Sequence, residues 1–369
     1  MSASSGAPVH VWFSGGGTGG HLYPGLAIAR ALVRQRAEVR AFFVGALRGI
    51  ERDVLPTTEF PHLLLDLHPL YRPYLWKNWR TLRGAAASWS RLDAAARERP
   101  PQMVVGTGGY AAGLALLWAW RRGIPAVQHI GDAIPGITAR WGARFTRESY
   151  LGFPEAQRFL KGRGAYLDTG NPIEPPPDIR PARAEARARW GFPAAAQVLL
   201  VFGGSGGARA INQAVAAWVE QGIPKGLCVL WATGKAQFDG FSHLDRADVR
   251  VVPYLAPISE AYATADVALI RGGMMGTSEL CAWGVPMVIV PLPTSANDHQ
   301  AANAKVLEAA GAAVHLPQSR LTPKRLEDEV CALLGNASRI TNMSAAAKAR
   351  GRPKAAEEIA GHIAAYLSR

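Results

Sequence analysis

Two glycine-rich turns, one in each half of the chain, offer the clearest chemistry in this sequence. They are Gly15-Gly16-Gly17-Thr18-Gly19-Gly20-His21 and Gly203-Gly204-Ser205-Gly206-Gly207. Each follows a short apolar run and precedes a helix-like stretch. Glycine lets the backbone come close to a ligand, and the N–H groups and dipole of a helix start favour anions. One such turn is also typical of a Rossmann-like domain, but the pair predicts two phosphate-bearing groups.

A third glycine turn, Gly272-Gly273, precedes a helix-like stretch that carries Glu279 about one turn inside. A carboxylate there can accept hydrogen bonds from both hydroxyls of a ribose, although the helix dipole alone also favours an acidic residue near a helix start. A polar loop further along runs into a helix and carries His299 and Gln300. Their imidazole and amide groups are suited to sugar hydroxyls.

Length and composition favour an ordered protein of two domains. The chain has 369 residues, of which 49% are hydrophobic and 19% charged, and it exceeds the usual size of one core. Cys228, Cys281 and Cys331 are far apart without metal-ligand spacing, so we expect buried thiols in a reducing compartment. The first residues lack the regions of a signal peptide, and the longest apolar segment, 111–120, is too short to span a bilayer. We therefore expect neither export nor a membrane-spanning helix.

Strand-like and helix-like stretches alternate in both halves, which predicts an α/β protein with doubly wound parallel sheets. The strand-like runs are 9–13, 39–44, 103–105, 126–130 and 149–151 in the first half, and 198–202, 227–232, 249–252, 267–270 and 286–290 in the second. A proline-dense segment, 170–177, separates the halves and marks the domain boundary. The boundaries expected are 1–170 and 171–344, followed by one or two terminal helices in 345–369. Ligands bind at the carboxyl ends of strands in such sheets, so we expect a site in a cleft between the domains.

The formal net charge of +13 indicates an acidic partner, either nucleic acid or an anionic membrane surface. Aromatic and cationic residues are mixed throughout 71–83, and Trp118, Trp120, Arg121 and Arg122 repeat the mixture. Such residues are typical of a surface that sits on lipid headgroups, although the same rings could instead pack in the core. No helix-turn-helix, zinc-finger or RRM pattern is recognisable, so we expect an anionic membrane surface and no nucleic acid as partner.

Taken together and in order, the motifs resemble those of the MurG family, within glycosyltransferase family 28. The resemblance covers nearly the whole chain and rests on the first turn with Tyr23-Pro24-Gly25-Leu26-Ala27, then Gly106-Thr107-Gly108-Gly109-Tyr110, Gly170-Asn171-Pro172, Gly203-Gly204-Ser205, Thr277-Ser278-Glu279 and Asp298-His299-Gln300. It implies a GT-B fold, in which two Rossmann-like domains face each other across a cleft. It also implies inverting transfer of N-acetylglucosamine from UDP-N-acetylglucosamine to undecaprenyl-pyrophosphoryl-MurNAc-pentapeptide (lipid I). The product would be lipid II for peptidoglycan synthesis, made by a peripheral enzyme on the cytoplasmic face of the inner membrane.

The resemblance further implies roles for domains and residues. The N-terminal domain would face the membrane and bind the acceptor, the C-terminal domain would bind UDP-N-acetylglucosamine, and the terminal helices would pack back on the N-terminal domain. Thr18, Gly19 and Gly20 would face the transferred sugar and the acceptor diphosphate, and His21 would be the base. The implied donor contacts are Ser205 for the pyrophosphate, the main chain at Leu255 for uracil, Glu279 for the ribose, Met274, Met275, Gly276, Thr277 and Ser278 for the nucleotide and sugar pocket, and His299 and Gln300 for the sugar hydroxyls.

The residues themselves agree with this mechanism. An inverting displacement needs a base opposite the leaving UDP, and a histidine that titrates near neutrality can serve. The N–H groups of the second turn can stabilise the departing diphosphate, and no Asp-x-Asp signature for a metal-bound diphosphate is present. We therefore expect no metal and no other cofactor.

Four positions depart from the family's usual residues. Asp132 stands where an amide is common, Glu174 where an arginine is common, Gly206 where a glutamine is frequent, and Gly272 where a serine is expected. Asp132 could accept hydrogen bonds from the sugar or replace His21 as the base, so the identity of the base stays open. The departures also leave open a related GT-B transferase with another acceptor or another UDP-sugar.

Two readings outside this class have weaker support. A binding module for a nucleotide-sugar or a nucleic acid is favoured only by the basic charge. An NAD-dependent dehydrogenase could use one glycine turn, but it needs an acidic residue after the second strand, and 40–44 contains no Asp or Glu.

Overall fold

The computed structural model describes residues 8–67, 79–204 and 207–368. The chain divides into two compact units. Unit 1 comprises residues up to Ile173 together with those from Lys354 onward, and unit 2 comprises Glu174–Pro353. The first passage of the chain between the units therefore lies in the proline-dense segment.

Unit 1 contains a parallel sheet of seven strands in the order β3-β2-β1-β4-β5-β6-β7. The strands are β1 Val9–Gly15, β2 Val39–Ala46, β3 His62–Leu65, β4 Pro101–Gly108, β5 Ala126–Ile130, β6 Glu148–Leu151 and β7 Ala165–Asp168. The helices are α1 Gly19–Gln35, α2 Glu51–Val54, α3 Trp79–Glu98, α4 Gly109–Arg121, α5 Ile137–Gly142 and, from the end of the chain, α13 Ala355–Leu367. Helices cover both faces of the sheet, because Val11 and Phe13 belong to a core cluster with α1 and α13 while Trp12 belongs to another with α4.

Unit 2 contains a parallel sheet of six strands in the order β10-β9-β8-β11-β12-β13. The strands are β8 Gln197–Phe202, β9 Leu227–Ala232, β10 Val249–Val252, β11 Val267–Ile270, β12 Met287–Ile289 and β13 Ala313–His315. The helices are α6 Arg183–Arg189, α7 Arg209–Gln221, α8 Ile258–Thr264, α9 Met274–Trp283, α10 His299–Ala309, α11 Pro323–Leu334 and α12 Ala337–Arg350. The expected doubly wound parallel α/β architecture is thus confirmed in both units.

The strand order places the glycine turns at the functional edge of each sheet. In unit 1 the order reverses beside β1, so that β1 pairs with both β2 and β4. In unit 2 the order reverses in the same way beside β8, which pairs with both β9 and β11. Such reversals open a crevice at the carboxyl ends of the two central strands. The turns after β1 and β4, and those after β8 and β11, border these crevices.

Some elements differ from the sequence expectations. Helix α1 begins at Gly19, so the last two glycines of the first turn belong to the helix and do not precede it. The strands β3, β7 and β13 were not predicted. Each lies at an edge of its sheet. Cys228 and Cys281 are buried as expected, whereas the expectation for Cys331 was wrong, because this residue of α11 is partly exposed.

The last helix is tied to the first unit by packing and by polar contacts. Ile359, Ala360 and Ile363 of α13 are fully buried in the core cluster that includes α1. The Gln35 amide donates to the Glu357 carbonyl oxygen at 2.9 Å, and Arg36 donates to the Ala364 carbonyl oxygen at 3.1 Å. Because both its buried side chains and its backbone carbonyl groups contact α1 and the residue after it, α13 completes the core of unit 1.

A buried carboxylate supports the first glycine turn from behind. Glu51 is fully buried, and its two oxygens accept hydrogen bonds from the N–H groups of Ala46 at 3.1 Å and Gly17 at 2.9 Å. A Cβ on Gly16 would overlap the Glu51 carboxylate. Gly17 itself has a φ of +90°, a region that favours glycine. The shape of the turn therefore depends on Glu51 as well as on the glycines.

We predict that Glu51→Gln lowers the free energy of unfolding by about 1–3 kcal/mol, because glutamine offers one acceptor oxygen where two buried N–H groups need one each. The measurement is equilibrium urea unfolding. The matched control is Glu59→Gln, whose ion pair with Arg30 is solvent-exposed and is expected to contribute at most about 1 kcal/mol. Equal stability of Glu51→Gln and the wild-type protein would contradict this role.

Candidate functional site

The second glycine turn connects β8 to α7 in unit 2. Gly204 and Gly207 have φ values of +84° and +71°, and a Cβ on Gly207 would overlap the Thr233 carbonyl oxygen. Helix α7 has no side-chain cap at Ala208, so its first N–H groups are not satisfied by a cap. Ser205 and Gly206 lie outside the described residues, and the predicted pyrophosphate contact of Ser205 stays a prediction.

The third glycine turn connects β11 to α9 and is held tightly against α10. Asn303 of α10 is fully buried and donates a hydrogen bond to the Gly272 carbonyl oxygen at 3.0 Å. A Cβ on Gly272 would overlap the Gln300 carbonyl oxygen. This contact gives a physical reason for glycine at position 272, where the family usually has serine, because no side chain fits this backbone.

These two turns line one cavity of about 570 Å³, which we call the glycine-turn cavity. Its lining includes Gly203, Gly204, Gly207, Arg209, Arg271 and Gly276. The Arg271 guanidinium donates to the carbonyl oxygens of Val290 and Pro291, each at 3.1 Å. Burial lowers the pKa of Arg271, but arginine stays protonated in proteins. The cavity therefore combines a helix start with a fixed cation, a combination suited to a diphosphate.

A second cavity of about 570 Å³, which we call the nucleoside cavity, lies further along α9. Its lining includes Glu174, Tyr254, Leu255, Pro257, Tyr262 and Glu279. The Leu255 side chain is buried, and the contact of its main chain with a base stays a prediction. Glu174, the second departure from the family pattern, places a carboxylate in this cavity.

Glu279 is held by a tyrosine. The Tyr262 hydroxyl donates to Glu279 Oε2 at 2.5 Å. Burial raises the pKa of Glu279, the hydrogen bond from Tyr262 opposes that rise, and the negative charge of Glu174 adds to it. Since one carboxylate oxygen is bound by Tyr262, Oε1 is the oxygen that can accept from ligand hydroxyls.

Helix α9 connects the two cavities. Gly276 lines the glycine-turn cavity and Glu279, three residues later on the same helix, lines the nucleoside cavity. The Phe202 and Tyr262 rings, one from each lining, lie 6.1 Å apart between centroids. A ligand with a diphosphate and a nucleoside could thus be held along the first turns of one helix.

The other predicted contacts on α9 and α10 occupy different environments. Met274 and Thr277 are buried, and the Thr277 hydroxyl lies 2.9 Å from the Gly273 carbonyl oxygen, where it closes the helix start. Met275 and Ser278 are partly exposed. Gln300 lines the glycine-turn cavity and its Oε1 accepts from the Leu292 N–H at 3.0 Å, so its NH₂ group is the part suited to donate to a sugar. His299 is partly exposed, with Nδ1 2.8 Å from the Ala296 carbonyl oxygen.

In unit 1 the start of α1 presents backbone donors. The Gly16 N–H donates to the Gly108 carbonyl oxygen at 3.2 Å, and the Gly17 N–H is used by Glu51. Among the described residues the structure gives no acceptor to the N–H groups of Thr18, Gly19 and Gly20. These are the three residues predicted to face the acceptor diphosphate, and their free donors suit an anion.

His21 lies against the turn that follows β4. A Cβ on Gly108 would lie 2.5 Å from His21 Nδ1, so glycine makes room for the imidazole. The Thr107 hydroxyl donates to the His21 carbonyl oxygen at 2.7 Å. Nearby His129 is buried, and burial, followed by positive charge on His21, lowers the pKa of His129 to about 3. His129 is therefore neutral near pH 7 and adds no competing positive charge beside His21.

Asp132, the alternative base, follows β5 at the same edge of the sheet. It is partly exposed. Its loop is tied to the Gly170-Asn171-Pro172 motif, because the Asn171 amide donates to the Gly131 carbonyl oxygen at 3.1 Å. β4 lies between β1 and β5 in the sheet, so Asp132 and His21 follow strands of unit 1 that are separated by one strand.

The structure buries one of the predicted membrane-facing residues and exposes another. Trp118 is buried, stacks on Trp12 at 5.2 Å and donates to Asp93 at 2.8 Å, so its assignment to the surface was wrong. Trp120, Ile137 and Trp141 are exposed to 49%, 60% and 40%. The predicted segment 71–83 lies outside the residues whose side chains are described.

The rings of Trp120 and Trp141 both pack against Phe145, at 4.9 and 4.8 Å between centroids. Arg121 and Arg144 are exposed on the same segments. We call Trp120, Ile137, Trp141 and Phe145 the aromatic patch. Within the described ranges, no helix is long and apolar enough to cross a membrane.

Sequence reasoning overlooked three residues of these sites: Glu51, His129 and Tyr262. Glu51 follows the second strand within a few residues, so position alone could have suggested it. Tyr262 could not be found in this way, because its partner Glu279 is on a different helix. In the part of the chain that is described, no cluster of three or more His, Cys, Asp or Glu is placed to hold a metal ion.

Comparison with known proteins adds family and fold evidence. The chain is 33% identical over 366 residues to the UDP-N-acetylglucosamine–N-acetylmuramyl-(pentapeptide) pyrophosphoryl-undecaprenol N-acetylglucosamine transferase of Desulforamulus reducens, with 96% of this chain and 98% of the relative covered. It is 37% identical to the protein of the same name in Salinibacter ruber, with 98% and 97% covered.

Solved structures with similar folds include a protein of the same family. The crystal structure of Acinetobacter baumannii MurG matches with a TM-score of 0.75 and 27% identity, covering 97% of this chain and 99% of that one. The calicheamicin glycosyltransferase CalG4 shares the fold, with a TM-score of 0.69, 18% identity, and 98% and 99% covered. The GT-B fold expected from the sequence is therefore confirmed.

Two family models match most of the chain. Residues 11–151 match the glycosyltransferase family 28 N-terminal domain, and residues 198–359 match the glycosyltransferase family 28 C-terminal domain. Together with relatives more than 30% identical over almost the full length, these matches show that the chain belongs to glycosyltransferase family 28.

Proposed function

We propose that this hexosyltransferase transfers N-acetylglucosamine from UDP-N-acetylglucosamine to undecaprenyl-pyrophosphoryl-MurNAc-pentapeptide (lipid I), giving lipid II for peptidoglycan synthesis. The names of its full-length relatives describe this transfer. The observation that carries the proposal is helix α9, because Gly276 lines the glycine-turn cavity while Glu279 lines the nucleoside cavity. A nucleoside diphosphate sugar fits this succession of donors and acceptors.

The donor is bound by unit 2 in this proposal. The main chain at Leu255 binds uracil and Glu279 accepts from the ribose hydroxyls. The N–H groups of the second turn and of the α7 start, with Arg271 and Ser205, bind the diphosphate. Gln300 and His299 bind hydroxyls of N-acetylglucosamine, and the first turn of α9 borders the sugar.

The acceptor is bound by unit 1. The free N–H groups of Thr18, Gly19 and Gly20 bind its diphosphate. The muramyl hydroxyl attacks the anomeric carbon of N-acetylglucosamine and passes its proton to His21, or to Asp132 in the alternative assignment. The bond from that carbon to the UDP oxygen breaks with inversion, and N–H groups and Arg271 stabilise the charge on the departing UDP, so that no metal or other cofactor is required.

The protein acts at an anionic membrane surface in this proposal, as a peripheral enzyme on the cytoplasmic face of the inner membrane. The acceptor carries a lipid chain, so the enzyme must meet it at a bilayer. The exposed aromatic patch with Arg121 and Arg144 has the composition of a headgroup-binding surface. The net charge of +13 favours the same partner.

The donor is tested by thermal shift. We predict that UDP-N-acetylglucosamine raises the melting temperature more than UDP-N-acetylgalactosamine or UDP-glucose, and that NAD has no effect. A ligand that binds only the folded state stabilises it by about 2.7 kcal/mol at a hundred times its Kd. A larger shift with another UDP-sugar would replace the proposed donor, and a shift with NAD alone would overturn the transferase proposal.

The base is tested by comparing His21→Ala with Asp132→Asn. If His21 is the base, its substitution lowers kcat about 10²- to 10⁴-fold and leaves UDP binding unchanged, because His21 and the donor site are in different units. The measurement is UDP release in the presence of lipid I. Near-normal turnover of His21→Ala with a large loss in Asp132→Asn would assign the base to Asp132.

The membrane surface is tested by flotation with anionic vesicles. We predict that a Trp120→Ser, Trp141→Ser double variant binds the vesicles more than tenfold more weakly than the wild type at low salt. Each ring is about half exposed, and burying that half in lipid contributes about 1 kcal/mol. The matched control is Ile179→Ser, since Ile179 is 90% exposed in unit 2. Undiminished flotation of the double variant would exclude the aromatic patch as the contact.

A further inference from the structure

The environment of the Tyr262–Glu279 pair is unusually well defined. Tyr262 is 3% exposed, and its ring lies between Phe202 at 6.1 Å and Trp283 at 6.0 Å. Its hydroxyl donates to Glu279 Oε2 at 2.5 Å. Since both neighbouring rings pack on the phenol, the hydroxyl is fixed in direction as well as in position.

The direction of proton donation is also fixed. Burial, together with the adjacent Glu279 carboxylate, raises the pKa of Tyr262 well above its ordinary value, so the phenol stays protonated. A phenol that keeps its proton can donate to the carboxylate wherever Glu279 is ionised. Glu279 is therefore oriented by a donor that does not itself titrate.

From this geometry we infer that Tyr262 is a positioning residue for nucleotide binding: it binds Glu279 Oε2 so that Oε1 faces the nucleoside cavity and accepts from the ribose. This inference rests on the proposed function and adds a residue to it. Tyr262 does not act on the reacting atoms. It acts through Glu279, and its removal should weaken nucleotide binding without changing the chemical step.

The hydrogen bond between Tyr262 and Glu279 should also affect how nucleotide affinity depends on pH. Groups that face the pair are Glu174 and Tyr254 from the cavity lining, and Arg180, whose guanidinium lies 5.1 Å from the Trp283 ring. Burial raises the pKa of Glu279 and Tyr262 lowers it. Protonated Glu279 has lost acceptor capacity, so nucleotide affinity falls as the pH falls through this pKa. Loss of the Tyr262 hydroxyl raises the pKa further and moves that fall to higher pH.

The test is calorimetric titration of the full-length protein with UDP over a series of pH values. Tyr262→Phe keeps the ring and its contacts but removes the donor. We expect the Kd for UDP to rise about five- to tenfold near pH 7, as for loss of one ordinary hydrogen bond, and the acid-side midpoint to move to higher pH. In turnover assays KM for the donor should rise while kcat stays within about twofold of the wild-type value.

The matched control is Tyr150→Phe in unit 1. Tyr150 is also fully buried and its hydroxyl donates to Glu148 Oε2 at 2.8 Å, so this variant loses a bond of the same kind away from the nucleotide cavities. It should leave both the Kd for UDP and its pH midpoint unchanged. A comparable change in Tyr150→Phe would show that general destabilisation, and not positioning, explains the effect.

A second variant keeps the inference testable if Tyr262→Phe folds poorly. Glu279→Gln should weaken UDP binding and leave only the acid-side pH dependence that comes from the UDP phosphate itself, and adding Tyr262→Phe to it should have no further effect. If Tyr262→Phe binds UDP with the same Kd and the same pH midpoint as the wild type, the inference is overturned and the proposed function is not. Failure of the wild-type protein to bind UDP at any pH would overturn the proposed function, and this inference with it.

Discussion

Backbone N–H groups left without partners at the starts of helices are the feature on which this structure's chemistry depends. A parallel strand that ends in glycine can turn sharply into a helix, and the first N–H groups of that helix then have no carbonyl within the helix. The turns after β8 and β11 line one cavity in unit 2 in this way. The turn after β1 leaves three such donors in unit 1. Both sheets therefore concentrate anion-binding groups at their carboxyl edges.

Carboxylates with fixed donors complement these turns. Glu51 holds the first turn from inside the protein and is itself satisfied by two backbone N–H groups. Glu279 is half satisfied by Tyr262, which leaves capacity for a ligand. The difference follows from their surroundings, because Glu51 is fully buried while Glu279 lines a cavity. Glu51 thus shapes the first glycine turn, whereas Glu279 can itself bind a ligand in the nucleoside cavity.

Sequence pattern was sufficient for the features that depend on local chain properties. The glycine turns and the alternation of strands and helices could be predicted because turn chemistry and periodicity are encoded by neighbouring residues. The family was identified from the resemblance of the motifs and their order. The strands β3, β7 and β13 were missed. All three lie at an edge of their sheet, where most of their residues are only partly buried or exposed, so the sequence contains no clear buried run there.

Contacts between distant segments could not be predicted. Trp118 stands beside Trp120, Arg121 and Arg122, a mixture typical of a membrane-facing surface. It nevertheless stacks on Trp12, which lies about a hundred positions earlier in the chain. Tyr262 and Glu279 belong to different helices, and the burial of His129 depends on packing that no local pattern reports. These positions required the three-dimensional structure because their environments are created by the sheet order.

The most direct measurement compares the affinities of the isolated protein for UDP and for uridine by calorimetry. If the glycine-turn cavity binds the diphosphate, UDP binds at least about tenfold more tightly than uridine, since charge-assisted hydrogen bonds contribute about 1.5–3 kcal/mol each. Gly204→Ala, which strains a φ of +84° without a steric contact, should reduce that preference. Equal affinities of the wild-type protein for UDP and uridine would contradict the account.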